Sequence, residues 1–295
     1  MVVIIGLIRN SVRIDDIDCS SLAILCPSIS GEKNPNFTGG CMEYMDLLSD
    51  LFRWFHIVAG LLFVGLNWWV NLVFAPFLMA ADGDSRKKSL LELLPRALYW
   101  FRWSAAYTLI FGVFLLVMIF YMGGLTIEAQ QQWTAGSYVM AILVILVYRI
   151  YVLLANSSLG KDIRIVGAVG FVIIAVMVYG MIQFGNFSYR GYVIHLGVMF
   201  GVIMVGNVFE AILPAQKKIL NAVKAGTAPD PLLVARVAQR GQHNMYLSLP
   251  LLWTMIEGHT AVPAADSWFY LLSVVLIGWL VVYLVQKKAA KIQNW

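Results

Sequence analysis

The chain has 295 residues, 60% of them apolar and only 13% charged, with a formal net charge of +5 and a mean hydropathy of +0.77. Such a composition excludes a soluble or disordered chain and describes a polytopic membrane protein built from apolar runs of about 20 residues. The basic excess collects in short loops between those runs, which makes it a topology signal and argues against nucleic-acid binding.

In chain order, residues 1–41 read as an N-terminal extension set apart from one transmembrane domain over 42–295. They are polar in patches and hold all three cysteines, Cys19, Cys26 and Cys41. The opening "MVVIIGLI" is too short for a signal peptide and lacks its charged start. Spans follow at 51–75, 99–122, 135–155, 165–184, 191–213, 240–259 and 267–286, each long enough as a helix to cross about 30 Å of hydrocarbon. No alternating strands of about ten residues occur, so the expected fold is all-α, a transmembrane bundle of about seven spans rather than a barrel.

Charge sets the expected orientation. Arg86, Lys87, Lys88 and Arg96 follow the first span, Lys161 and Arg164 the third, and Lys217, Lys218, Lys224, Arg236 and Arg240 the fifth; Lys287, Lys288 and Lys291 close the chain. The intervening loops offer only Arg190. Basic loops stay on the cytoplasmic side, which places the N-terminus outside and the C-terminus inside a multi-pass bacterial inner membrane.

Polar groups within the spans are few: His56, Asn67 and Asn71; Arg102 and Ser104; Arg149; His195, Asn207 and Glu210; His243, Asn244, Glu257 and His259. Ionisable groups at membrane depth are costly and mark candidate sites, whereas those near a span end can snorkel to the interface. The topology puts His56, His195 and His259 toward the outer side and leaves His243 inside, separated from His259 by about 24 Å of helix. On the first span His56, Gly60, Phe63 and Asn67 share one stripe, and on the fifth His195, Met199, Ile203, Gly206 and Glu210 face opposite the small pair Gly197 and Gly201. Gly60, one turn from His56, leaves room for a flat ligand. Histidines on separate helices with such space are the pattern that clamps a b-type haem, with His56 and His195 as the expected iron ligands. The bland alternative is a histidine that bonds a neighbour or a lipid headgroup. No CxxCH is present, so no c-type haem is attached to this chain.

Four blocks carry a resemblance. "RWFHIVAGLLFVG", "YWFRWSAAY", "HLGVMFGVIMVGNVFEAILPAQKK" with the following "AGTAPDP", and "GQHNMYLSLPLLWTMIEGH" resemble, in order, the membrane domain of the PuuD-type urate hydroxylases, the urate oxidase N-terminal domain family. The resemblance implies a membrane oxidoreductase of purine catabolism that oxidises urate or a related purine and passes electrons to cytochrome c. His56, His195, His243, Asn244 and His259 carry over, as do Asn207, Pro214 and Pro250. The glutamate of the family's aromatic block is Ser104 here, and a family tryptophan is Phe63. A cytochrome c domain usually follows in that family; with the sequence ending at Trp295, a separate carrier is expected. The first-span pattern also resembles membrane protoporphyrinogen oxidases, which are haem b proteins, and copper-resistance membrane proteins. The expected roles are cofactor binding for His56, His195, His243 and Gly60, and substrate or proton chemistry for Asn244, Arg102 and His259. A non-catalytic anchoring or electron-transfer subunit is the alternative; a transporter fits poorly, because no internal repeat is visible.

Overall fold

The computed structural model describes residues 37–257 and 268–290, the side chains of 37–43 excepted. Ten α-helices run through them: α1 (Phe37–Trp69), α2 (Ala75–Ala80), α3 (Gly83–Lys88), α4 (Leu94–Leu115), α5 (Ala135–Asn156), α6 (Ile163–Gln183), α7 (Tyr189–Gly206), α8 (Leu213–Lys224), α9 (Pro231–Glu257) and α10 (Trp268–Ala289). Several join end to end, leaving seven long rods and no strand among the described residues. Six rods are long and apolar enough to cross a membrane: Tyr44–Ala80, Gly83–Met122, Ala135–Asn156, Ile163–Gln183, Tyr189–Lys224 and Trp268–Ala289. The seventh is α9, long enough but polar in its first half, with Arg236, Gln239, Arg240, Gln242, His243 and Asn244. His259 and residues 1–36 lie outside the described residues, with Cys19 and Cys26 among the latter.

Rod ends are set by capping chemistry. The Thr134 hydroxyl accepts from the Ser137 N–H while the Ser137 hydroxyl accepts from the Thr134 N–H, a reciprocal cap that starts α5. Asp162 accepts from the Arg164 N–H at the start of α6, and Ser188 from the Gly191 N–H at the start of α7. The connections 123–134 and 184–188 meet at one end of the bundle through an antiparallel bridge between Ile127 and Phe187. At the other end lie Arg86, Lys87, Lys88, Lys161, Arg164, Lys224, Lys287 and Lys288. This basic end is the reference for depth below.

The rod containing α7 forms the core: 61% of its most apolar stretch is buried, against 33% or less for the other five. Glycines set its distance from the neighbours. A Cβ on Gly197 would stand 2.5 Å from Thr254 Oγ1 on α9, and one on Gly206 2.4 Å from the Tyr148 ring on α5. Gly201, expected to share the packing face with Gly197, has nothing within 4 Å of that position. The stripe His56, Gly60, Phe63 and Asn67 forms the seam of α1 against α4: Phe63 meets Phe101 at 5.3 Å, and Gly60 faces Thr108.

Four π-helical turns interrupt the rods, at Val70–Phe74, Ser89–Leu93, Leu116–Met122 and Asn207–Ile212. Three of them lie just before Pro76, Pro95 and Pro214. A proline ring clashes with the carbonyl four residues back, here on Leu72, Leu91 and Glu210, each inside a π turn. Widening the turn removes the clash without ending the rod. Pro250 is handled differently: α9 stays helical through it, and Gly278 of α10 packs on its ring, where a Cβ would stand 3.0 Å from Cδ.

Candidate functional site

The longest run of buried polar contacts lies toward the basic end, between α5, α7 and α9. Arg240, His243 and Asn244 occupy positions i, i+3 and i+4 of α9 and so share a face. All three are buried, Arg240 to 2% exposure. The Arg240 guanidinium donates to Asn156 Oδ1 at 2.6 Å and more weakly to Asn207 Oδ1 at 3.5 Å, and its carbon lies 5.1 Å from the Tyr151 ring centre. Its Nε–H is enclosed and has no partner. Among the described residues no carboxylate pairs with it; the Arg53–Asp50 and Arg149–Glu210 ion pairs lie elsewhere. Taking such a charge out of water costs several kcal/mol, which the amide oxygens of Asn156 and Asn207 and the Tyr151 ring offset in part.

Hydrogen-bond direction fixes the tautomer of His243. Asn244 Nδ2 donates to the Met204 carbonyl at 3.1 Å, which turns Asn244 Oδ1 toward Asn207. The Asn207 amide therefore gives its two hydrogens to Asn244 Oδ1 at 2.9 Å and the Tyr151 hydroxyl at 2.8 Å. Tyr151 in turn faces His243 Nδ1 at 2.8 Å. If Nδ1 donated, the Tyr151 proton would be buried without an acceptor, so the hydroxyl donates and the His243 proton sits on Nε2. Asn207 opens the last π turn; the turn that accommodates Pro214 also begins the network.

Tyr151 and His243 border a cavity of about 540 Å³. Its depth is formed by Met199, Phe200, Ile203 and Ile174, all buried, and its rim by Leu276, Leu280 and Tyr283 of α10, which are exposed on the flank of an apolar rod. Trp279 lines it too, and its enclosed indole N–H has no acceptor.

The other described histidines are arranged differently. His195 Nδ1 donates to the Gly191 carbonyl at 2.7 Å, so Nε2 is an acceptor, taken by the Tyr121 hydroxyl at 2.8 Å. His56 Nδ1 donates to the Thr108 carbonyl at 2.9 Å, and its ring lies on Gly112, where a Cβ would stand 2.8 Å from Cε1. Gly112, rather than Gly60, makes room at His56. The topology places the two histidines at one depth. Instead they are anchored at Thr108 and Tyr121 of one rod, about 20 Å apart along its axis. The first helix begins at Phe37, well before the expected span, and so His56 lies deeper.

Among the described residues the expected haem pair is not brought together: His195 Nε2 accepts from the Tyr121 hydroxyl, His243 carries its proton on Nε2, and His56, with Nε2 open, faces no second described histidine. Among the described residues no group of three or more His, Cys, Asp or Glu could hold a metal ion.

Arg102, the expected partner of an anionic purine, is exposed and stacks at 5.4 Å on Trp103, outside the cluster. Arg149 and Glu210 pair with each other at 3.1 Å on the outside of the bundle, and Glu257 accepts from the Tyr189 hydroxyl at 2.9 Å. Ser104 is buried, its hydroxyl bonded to the Phe101 carbonyl. Asn244 lies within the cluster. Arg240, Tyr151 and Asn156 are site residues that the sequence reading misses. It counts Arg240 with the loop charges, though the i, i+3, i+4 relation to His243 and Asn244 is visible in the sequence.

Comparisons with curated proteins and with solved structures gave no match. A family model described as Urate oxidase N-terminal matches residues 86–295, which takes in the whole Arg240 cluster and the cavity, while His56 precedes it. That match covers well over half of the chain: it belongs to the urate oxidase N-terminal family.

Proposed function

We propose that the chain is a membrane-bound oxidoreductase that takes urate, or a purine anion like it, at the Arg240 cluster and delivers the electrons to a separate carrier, ultimately a cytochrome c. The observation that supports this reading is the buried Arg240 guanidinium, which has amide partners, an unused Nε–H and, among the described residues, no carboxylate. Urate is a planar monoanion at neutral pH, with ring carbonyls and N–H groups to match amides. Guanidinium against such an anion forms charge-assisted hydrogen bonds, the strong kind. Asn156 is exposed at the end of α5, so the cluster is approached from the basic end. Under the positive-inside rule that end faces the cytoplasm of a bacterial inner membrane.

Oxidation of urate by hydroxylation removes two electrons and two protons as water adds to a ring carbon. Arg240 holds the anion, Asn244 and Asn207 fix the network behind it, and Tyr151 with His243 is positioned to move a proton. No step is assigned to His56 or His195.

The test uses the purified full chain in detergent or nanodiscs. Urate should raise its unfolding temperature, and membranes containing it should reduce added cytochrome c when urate is supplied. Absence of both the urate-induced shift and urate-dependent reduction would overturn the proposal.

A further inference from the structure

The cavity behind His243 has no role in anion binding. Its depth is apolar, its rim lies on the exposed flank of α10, and its polar edge is the His243–Tyr151 pair. Its volume of about 540 Å³ is in the range of small-molecule sites. Gly170 lines it, and a Cβ there would meet nothing within 4 Å.

We infer that this cavity binds a lipid-borne quinone, whose ring carbonyl accepts from His243 Nε2–H and whose apolar tail leaves past Leu276 and Leu280. Two observations select this occupant. The rim opens along a rod apolar enough to span the membrane, so a ligand dissolved in the bilayer reaches it without crossing water. His243 Nε2 is a donor, which suits a carbonyl and rejects a metal ion. A phospholipid acyl chain would leave that donor without an acceptor.

The inference deepens the function proposed above, because it names the immediate electron acceptor of that reaction. The balance closes: urate and water give the hydroxylated purine, two protons and two electrons, and the quinone takes two electrons and two protons to become a quinol. Tyr151 and His243 lie between the two sites, sharing hydrogen bonds with Asn207 on one side and bordering the cavity on the other.

Binding is measured first without urate, so that it stands or falls separately from the purine reading. Decyl-ubiquinone titrated into the nanodisc-embedded full chain should quench tryptophan fluorescence saturably, and the quenching should shrink in Trp279→Phe. Gly170→Leu, which fills the cavity while favouring helix, should weaken binding tenfold or more. His243→Leu should do the same, whereas His243→Gln, which retains an acceptor and an N–H, should stay within a few-fold of wild type. In the full reaction urate should then drive decyl-ubiquinol formation. Quinone binding without any urate response sustains the cavity assignment and sinks the purine reading. Three results would overturn the quinone site: binding unaffected by Gly170→Leu, displacement by decanol as readily as by quinone, or a b-type haem spectrum lost in His243→Leu.

Discussion

Arg240→Met separates an anion-binding guanidinium from a structural strut. In the ligand-free protein the arginine gains a short charge-assisted bond to Asn156, a long one to Asn207 and a cation–π contact with Tyr151. These contribute about 1.5–3 kcal/mol for a bond to a charged group and about 0.5–2 kcal/mol for the ring contact. Against them stands the several kcal/mol of holding an unpaired charge out of water. The terms nearly cancel, so the methionine variant should unfold within about 1 kcal/mol of wild type when no urate is present. With urate the two should diverge. At a urate concentration of about 100 times the wild-type Kd, binding stabilises wild type by about 2.7 kcal/mol. Losing one charge-assisted bond weakens binding by about 10- to 150-fold. The same urate concentration then stabilises the variant by only about 1.4 kcal/mol at the mild end and about 0.3 at the severe end. Thermal unfolding in one detergent, with and without urate, reads both quantities. A variant destabilised by more than about 3 kcal/mol without ligand, yet showing an undiminished urate shift, would refute the reasoning.

Tyr151→Phe removes the donor to His243 Nδ1 while keeping the ring; urate Kd should stay within a few-fold while urate-dependent turnover falls at least tenfold, and an unchanged turnover would exclude the pair from proton transfer. Gly206→Ala drives a methyl into the Tyr148 ring and should cost about 1–3 kcal/mol, whereas Gly201→Ala, with open space at its Cβ, should gain up to about 1 kcal/mol from helix propensity; both are read by thermal unfolding. Tyr121→Phe leaves buried His195 Nε2 without a donor and should cost about 1–3 kcal/mol, much of it recovered in the double variant with His195→Leu. Asp82 caps α3, and the N–H of Ser85 holds its carboxyl below the usual range. That contribution is complete above the unfolded carboxyl pKa and is lost as pH falls through the lowered folded value. Protection factors for hydrogen exchange across 83–88, corrected for the intrinsic rate at each pH, should therefore fall at acid pH in wild type and already at neutral pH in Asp82→Ala.

The rods are legible because a bilayer leaves the backbone no choice but helix, and apolar length then marks each span. The α1–α4 seam is legible for a similar reason: His56, Gly60, Phe63 and Asn67 follow one helical phase, and the structure buries that phase against α4. Arg240 escapes such a reading because counting Lys and Arg treats every basic residue near a span end as solvated. Helix α9 begins at Pro231, with Asp230 Oδ1 accepting from the Leu232 N–H, and this extra length carries Arg240 inside the bundle. The histidine roles depend on contacts distant in sequence, Tyr121 with His195 across 74 residues and Tyr151 with His243 across 92. Local spacing holds no trace of such partners, and the shared depth behind the expected haem pair assumes a first helix shorter than the one that begins at Phe37.

The order of donors at the basic end gives the cluster a direction. Arg240 donates to Asn207, Asn207 to Tyr151, Tyr151 to His243 Nδ1, and His243, its proton on Nε2, borders the cavity. Each donor polarises the next, so the chain strengthens toward the cavity in a low-dielectric interior. Its members are not equivalent, however. An amide does not readily pass a proton, which confines transfer to Tyr151 and His243. When Nε2–H is given up, the Tyr151 proton crosses to Nδ1, and the tyrosinate left behind is met by the Asn207 N–H and the nearby guanidinium of Arg240. On the proposed function, a proton released by the oxidised purine restores Tyr151. The same arginine then serves twice, first holding the anionic substrate and afterwards stabilising the transient phenolate. On that proposal, such double use is a physical reason for retaining, toward the basic end of the bundle, a buried cation that no carboxylate among the described residues neutralises.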